Sequence, residues 1–279
     1  MKIALFTVEG LPNARAVRQL VSDHADEIVY VGISDTHRPQ VGGSVGQVKA
    51  HLSRSGFWMI PYLFVNFCLP DLTFLFAQLL LLLGFKLSPQ ATPLPDLCWE
   101  LGIPVHVLDN VNHPSVVEAM KKTGVDLIIS FHFDMIFRQK TLDSVPYGGI
   151  NVHPAMLPLH RGPFPTFHAL MDSDPVFGVT VHKLAAKIDA GEILEQSRLH
   201  LPRTTTATKS AVLLFDEGRE CVDRVLIKIR KMGCMPTGRV NPPAKYFQWP
   251  TKHDMAEFYA KGRRLVDWGD VKDALSLSS

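Results

Sequence analysis

The chain has 279 residues, of which 46% are hydrophobic and 20% charged, and its formal net charge is +2. This balance is typical of a globular protein, and the length suits one large α/β domain with a tail or two modest domains. The near-neutral charge gives no polyelectrolyte argument for nucleic-acid binding. Four cysteines without C-x-x-C spacing indicate reduced thiols in a cytoplasmic protein. The apolar part of the first ten residues is too short for a signal peptide.

Apolar runs alternate with helical spacings along the first half of the chain. Strands are predicted at residues 2–7, 27–33, 105–108, 125–130 and 149–153, and helices at 13–23, 92–101, 113–122 and 138–143. Strand–helix–strand order favours a parallel sheet with crossover helices, that is, an α/β fold. The glycines of residues 41–46 do not directly follow a strand, so they predict a flexible loop.

Residues 57–87 form an unusually apolar insertion in which only Asp71 and Lys86 are charged. Pro61 and Pro70 predict that it divides into two short helical pieces. The second piece, residues 72–85, has 14 residues, fewer than the roughly 20 that span a bilayer as a helix.

Apolar residues cover nearly the whole circumference of that second piece, so it must be buried in something. One hypothesis is a core helix or a homodimer interface. Another is a peripheral patch that contacts a membrane or an apolar substrate. Lys49, Arg54 and Lys86 flank the insertion and weakly favour an anionic membrane surface.

The second half continues with a helical run at 166–171, strand-like runs at 176–184 and 193–201, a long amphipathic helix at 207–232 and a helical piece at 254–263. This order predicts a catalytic domain over residues 1–205, with the insertion at 57–87, followed by a short C-terminal helix and tail over 206–279.

Candidate catalytic groups concentrate in residues 148–192, where a short strand ends at Asn151-Val152-His153. Strand alternation points Asn151 and His153 to the same face. An amide can donate to an oxyanion, and a histidine can exchange a proton near neutral pH. Asp189 could orient that imidazole, and a carboxylate neighbour raises a histidine's pKa. These groups suit direct attack of an amine on a carbonyl; the alternative is turn stabilisation, with Asp189 capping a β-turn.

The motif N-V-H-P-A-M-L-P, then R-G and P, and finally D-A-G-E resembles the folate-dependent formyltransferases. That group includes methionyl-tRNA, amino-sugar and glycinamide ribonucleotide formyltransferases, with the hallmark Asn-x-His-Pro-Ser-Leu-Leu-Pro and a downstream Asp-x-Gly. The chain departs from it at Ala155 and Met156, which are loop-packing positions. The resemblance covers residues 1–205 and is strongest over 125–200.

The resemblance implies a Rossmann-like, mostly parallel sheet flanked by helices, and 10-formyltetrahydrofolate as the formyl donor. It implies catalytic roles for Asn151, His153 and Asp189. The pterin would lie between residues 131–136 and the loop 185–189 and bind largely to backbone groups. The residues expected to bind the cofactor are Phe131, His132, Phe133, Met135, Ile136, Ala185 and Asp189. The side chains of Phe133, Met135 and Ile136 suit an aromatic heterocycle, although all three could instead be strand-end core residues.

His160 and Arg161 lie in the loop that would face the acceptor. Arg161 could bind a phosphate or carboxylate through two hydrogen bonds, and a structural ion pair is the alternative. The side chains of His132, His168 and His182 are interpreted as structural, since none has metal-ligand spacing. No metal site is predicted.

The expected reaction is formyl transfer to a primary amine of a small molecule, either an amino sugar or a hydrophobic, lipid-linked amine. A 10-formyltetrahydrofolate hydrolase, a methionyl-tRNA formyltransferase-like enzyme and an inactive scaffold protein remain alternatives. Nucleic acid is not an expected partner, because the charge is near neutral. The protein is expected in the cytoplasm, with contact to the membrane face and a homodimer both left open.

Overall fold

The computed structural model describes residues 1–35, 42–88 and 91–276. Within these ranges seven strands form one sheet in the order β3-β2-β1-β4-β5-β6-β7. Strands β1 to β5 are parallel, and β6 and β7 add to the β5 edge in antiparallel orientation. The predicted Rossmann-like, mostly parallel α/β sheet is therefore confirmed. The strands are β1 (Ile3–Thr7), β2 (Ile28–Ser34), β3 (Val105–Leu108), β4 (Leu127–Phe131), β5 (Gly149–His153), β6 (Phe177–Lys183) and β7 (Ile193–Leu199).

Helices follow the strands in the expected alternation and also fill the insertion and the C-terminal region. They are α1 (Ala14–Asp23), α2 (Gly43–Ser55), α3 (Met59–Leu63), a π-helical turn (Phe64–Cys68), α4 (Leu69–Leu82), α5 (Leu94–Glu100), α6 (Pro114–Thr123), α7 (Gln139–Leu142), α8 (Pro165–Met171), α9 (Ala207–Met232), α10 (Lys252–Ala260) and α11 (Trp268–Leu275).

Two of these helices are absent from the sequence prediction. The loop predicted at residues 41–46 is wrong from Gly43 onward, where α2 begins; Val41 lies outside the described residues. Helix α2 packs against α3 and α10, so tertiary contacts outweigh the low helix propensity of its glycines. Helix α11 was also missed, and it packs against α4.

The core occupies both faces of the sheet. On one face, Leu5, Ile129 and Val152 pack against α1, α5 and α9, and on the other, Ala4 and Ile128 pack against α6 and α7. Helix α9 contributes Phe215, Val222 and further residues to the first of these clusters. The division predicted between 1–205 and 206–279 stays a prediction, although α9 belongs to the same core as the sheet.

The insertion forms one continuous helix over Met59–Leu82, which we call the insertion helix. The prediction of two pieces separated by proline is wrong for two reasons. Pro61 lies in the first turn, where a backbone N–H needs no helical partner. Pro70 cannot donate to the carbonyl of Asn66, but the backbone N–H of Leu11 donates to it instead, over 2.9 Å.

The insertion helix is long and apolar enough to cross a membrane, and it is the single helix of that kind among the described residues. One side of it is packed on the protein. Asn66 donates to the hydroxyl of Thr208 over 2.8 Å, and Thr73 donates to the carbonyl of Ala274 over 2.8 Å. Burial therefore covers only part of its circumference, contrary to the expectation for a core helix.

Candidate active site

Strands β5 and β6 bring three polar side chains together at the edge of the parallel sheet. Asn151 and His153 are two residues apart on β5, so they share a face, while Ile150 and Val152 point the other way and enter the core. In the antiparallel register, Asn151 lies directly opposite His182 of β6. The amide nitrogen of Asn151 is 3.1 Å from Nε2 of His182.

Asp189 completes the cluster from the loop between β6 and β7. Its Oδ1 atom lies 3.6 Å from Nδ1 of His153 and 3.6 Å from Nε2 of His182, and its Oδ2 atom accepts from the N–H of Gly162 over 3.0 Å. The sharp turn depends on Gly191, where a Cβ atom would lie 1.8 Å from the carbonyl oxygen of Lys183. The Asp-Ala-Gly sequence thus places one carboxylate between two imidazoles.

The hydrogen bond of His153 determines which of its nitrogens can act as a base. Nε2 lies 3.0 Å from the carbonyl oxygen of His160, and because a carbonyl only accepts, Nε2 carries the proton. In the neutral ring the lone pair is then on Nδ1, the atom nearest Asp189. A proton taken up at Nδ1 would lie beside the carboxylate, which would stabilise the imidazolium.

Burial and the neighbouring polar groups together set the charge state of His153 and Asp189. Burial lowers the pKa of His153, and the opposing effect of the Asp189 carboxylate does not overcome it. The increase in pKa expected from the carboxylate neighbour is therefore outweighed by desolvation. For Asp189, burial also opposes ionisation, but His153, His182 and the N–H of Gly162 prevail and hold its pKa below the usual range. The pair rests as a neutral imidazole beside a carboxylate.

The cluster opens into a cavity of about 560 Å³, a size that accommodates a small organic ligand. One wall follows β4 and the other includes the loop after β6. This cavity lies near the position where the strand order reverses between β1 and β4, the usual ligand site of such sheets. Its lining includes Ser130, His132, Phe133, Met135, Ile136, Asn151, His153, His182, Ala185, Asp189, Arg54, Tyr62, Tyr246, Gln248 and Trp249.

Comparison with known proteins gives a family match over part of the chain. Residues 106–226 match the family model described as Formyl transferase. The methionyl-tRNA formyltransferase of Borrelia hermsii (strain HS1 / DAH) is 43% identical over 104 residues, which cover 37% of this chain and 34% of that enzyme. The match thus spans about one third of the curated relative. The predicted resemblance to the folate-dependent formyltransferases is confirmed.

Solved structures share the fold of this chain at low sequence identity. A sugar N-formyltransferase from Shewanella sp FDAARGOS_354 is 15% identical with a TM-score of 0.53, covering 100% of this chain and 88% of that one. A phosphoribosylglycinamide formyltransferase from Streptococcus pneumoniae TIGR4 is 14% identical with a TM-score of 0.54, and the match covers 82% of this chain and 98% of that one. The sugar 3N-formyl transferase WlaRD, solved in the presence of dTDP and 5-N-formyl-THF, is 15% identical with a TM-score of 0.54, covering 100% and 79%.

Most of the residues predicted to bind a cofactor line the cavity. His132, Phe133, Met135, Ile136, Ala185 and Asp189 all do so. Phe131 does not, because its side chain is fully buried against Phe215 in the core. Burial lowers the pKa of His132 to about 4, so its ring is neutral near pH 7. It faces Asn13 Oδ1 at 3.1 Å, a contact that joins the ends of β1 and β4.

His160 and Arg161, predicted to face the acceptor, are both buried and neither lines the cavity. The guanidinium of Arg161 donates to Oδ1 of Asn241 over 2.7 Å and to the carbonyl of Pro242 over 2.9 Å. Nε2 of His160 lies 3.1 Å from Oδ2 of Asp172. The hydrogen-bond partners of Arg161 are thus neutral oxygens rather than the carboxylate of the expected structural ion pair.

The partners of Arg161, Asn241 and Pro242, belong to residues 239–249, which we call the covering segment. It is joined to the sheet and to the Arg161 loop by backbone bridges at Arg239 and Tyr246. Asn241 donates to the carbonyls of Asp189 and Gly191, over 3.0 and 3.1 Å. The covering segment thus fixes the loop that carries the candidate carboxylate.

Sequence reasoning missed several residues of the site. His182 was interpreted as structural, yet it lies against both Asn151 and Asp189. Tyr246, Gln248 and Trp249 approach from the covering segment, and Arg54 and Tyr62 from α2 and the insertion helix. Only the β6 register could have revealed His182. Within the part of the chain that the structure describes, no group of three or more His, Cys, Asp or Glu side chains could hold a metal ion.

Proposed function

We propose that this protein transfers a formyl group from 10-formyltetrahydrofolate to a primary amine of a small molecule. The observation that carries the proposal is that Nδ1 of His153, unprotonated in the neutral ring, lies 3.6 Å from Asp189, on the strand face that also carries Asn151. The formyl transferase match over residues 106–226 supports the same reaction class. The presence of Asn151, His153 and Asp189 together argues against an inactive scaffold protein.

The residues of the cavity suit a folate. Phe133 and Met135 are half-buried and Ile136 is exposed to 55% in the cavity wall, so an apolar surface is available for a flat heterocycle. The loop of Ala185 to Asp189 lies across the cavity and offers backbone groups. When bound, 10-formyltetrahydrofolate supplies an activated formyl carbon and a leaving nitrogen.

Each catalytic residue has one task in this proposal. Asn151 has a second amide N–H besides the one near His182, and it donates this to the carbonyl oxygen as negative charge develops there. His153 takes the proton of the attacking amine at Nδ1 and returns it to the leaving nitrogen. Asp189 stabilises the imidazolium between those two steps. One C–N bond forms, one breaks, and one proton moves from acceptor to donor.

The acceptor is proposed to be an amino sugar or a more hydrophobic amine. The fold match with sugar N-formyltransferases over the whole chain supports the first, and the aromatic side chains of Tyr62 and Trp249 in the cavity support the second. Arg54 is the single Lys or Arg side chain among the described lining residues. A phosphate on the acceptor would pair with it.

Transfer RNA is the alternative acceptor that the 43% identity to a methionyl-tRNA formyltransferase favours. Against it, the formal net charge of +2 provides little attraction to a phosphate backbone. We propose that the protein acts in the cytoplasm, as its free cysteines suggest.

The decisive experiment incubates the protein with 10-formyltetrahydrofolate, alone and with amino sugar nucleotides, lipid amines or methionyl-tRNA. Folate absorbance follows turnover, and mass spectrometry identifies a formylated product. We expect turnover only with an amine, and loss of about 10²–10⁴-fold in kcat for His153→Ala and for Asp189→Asn. The exposed His200 provides the matched control His200→Ala, which should retain activity. Turnover without any amine would replace the transferase by a hydrolase.

A further inference from the structure

The insertion helix presents an apolar surface to solvent. Large apolar side chains recur on it at intervals of three and four residues, which places them on one side of a helix. Leu75 is exposed to 62% and Leu82 to 85%. We call this surface the outer apolar face; it consists of Ile60, Phe64, Leu72, Leu75, Phe76, Leu79, Leu82 and Leu83.

A continuous apolar surface of this length is unusual on a soluble monomer and indicates an interaction site. The insertion helix has 24 residues, about 36 Å at the rise of an α-helix. Asp71 is the one charged residue on the helix. The surface is therefore long, narrow and almost free of charge.

The opposite side of the insertion helix is held by the protein, which argues against a transmembrane span. Asn66 is fully buried and bonded to Thr208, and Thr73 is bonded to Ala274 of α11. Spanning a bilayer would separate these pairs and place an amide and a hydroxyl in hydrocarbon. A helix with one side packed and one side apolar instead fits the plane of a membrane interface.

Basic residues in the sequence on both sides of the insertion helix favour an anionic lipid surface over a neutral one. Residues 42–88 contain three basic side chains, Lys49, Arg54 and Lys86, all exposed, and one acidic side chain, Asp71. Trp58, exposed to 56%, lies just before the first helical turn, and indole rings favour the membrane–water interface. An apolar helix whose flanking sequence is basic and aromatic matches a surface of anionic phospholipid.

We propose that the outer apolar face docks the protein onto a membrane that contains anionic lipids, with the insertion helix parallel to the bilayer plane. Tyr62 on the inner side of this helix, and Arg54 before it, line the catalytic cavity. The docked bilayer would therefore adjoin one wall of that cavity. This docking does not depend on the proposed chemistry, since it requires only the helix and its flanking charges.

The test is flotation of the purified full chain with vesicles of equal parts phosphatidylcholine and phosphatidylglycerol, or of phosphatidylcholine alone. We expect the protein to float with the anionic vesicles and much less with the neutral ones. Leu75→Glu/Leu79→Glu should reduce the bound fraction about tenfold or more. The control Ile227→Glu/Met232→Glu changes two exposed apolar residues of α9 and should leave flotation unchanged.

Fluorescence provides a second readout that does not depend on sedimentation. Emission of Trp58, isolated by comparison with Trp58→Phe, should shift to shorter wavelength with anionic vesicles. Absence of flotation for the full chain would overturn the proposal, as would equal flotation of both double variants. A dimer in light scattering that Leu75→Glu/Leu79→Glu dissociates, without vesicle binding, would assign the face to a second copy. Formyl transfer is assayed in parallel without lipid, so the two proposals fail separately.

Discussion

The side-chain amide of Asn241 donates a hydrogen bond to the backbone carbonyl of Asp189 over 3.0 Å. The same side chain accepts from Arg161 through its oxygen. One residue of the covering segment thus holds the loop of the candidate carboxylate and partners a buried cation. Asn241 is a positioning residue in this arrangement, since it acts on the cavity through Asp189.

Replacing Asn241 by Asp separates these two functions. An aspartate keeps an acceptor for Arg161 but cannot donate to the carbonyls of Asp189 and Gly191. We expect Asn241→Asp to remain folded with kcat lowered about tenfold or more, because the carboxylate loop is less well positioned. Steady-state kinetics with circular dichroism tests this. Unchanged kcat with a lower melting temperature would mean that the contact is only structural.

The pH dependence of kcat/KM should report the lowered pKa of His153. A histidine that acts as a base must be neutral, and burial keeps His153 neutral below the ordinary value of about 6.5. Activity should therefore stay level as pH falls through that value and decline only at lower pH. In Asp189→Asn the carboxylate that opposes the decrease is lost, so the acidic limb should move to still lower pH. A shift toward higher pH would contradict the assignment.

Arg161→Met tests whether this arginine is structural. The substitution leaves Oδ1 of Asn241 and the carbonyl of Pro242 without their donor, and we expect unfolding free energy to fall by about 2–4 kcal/mol. The exposed Arg198 gives the control Arg198→Met, expected within about 0.5 kcal/mol of the parent. Urea unfolding measures both. A higher KM for the acceptor with unchanged stability would restore the acceptor-binding prediction.

Gly162→Ala tests the close contact between the loop that contains Arg161 and the covering segment. A Cβ atom there would lie 2.0 Å from the carbonyl oxygen of Phe247, and φ is +123°. We expect a loss of about 3 kcal/mol or more. Gly148 also has a positive φ, +61°, but nothing lies within 4 Å of its Cβ position, so Gly148→Ala should cost only about 1 kcal/mol. Equal losses in urea unfolding would show that strain at φ, and not the contact, dominates.

Local patterns in the sequence predicted much of the fold and part of the site. Alternation along 149–153 was sufficient to place Asn151 and His153 on one face, because successive strand side chains point to opposite sides. The helix predicted at 207–232 coincides with α9. The insertion was misread at Pro70, because the donor that replaces its missing N–H comes from Leu11, far away along the chain.

The sequence alone determined the strand and helix order, the formyltransferase motif and the identity of the three candidate catalytic residues, since each depends on neighbouring residues. Only the tertiary structure decided that His182 joins them, because the β5–β6 register sets which side chains face each other. It also decided that Arg161 is enclosed beneath the covering segment, and that the insertion exposes its apolar side. Both outcomes depend on contacts between segments more than seventy residues apart, which no local pattern specifies.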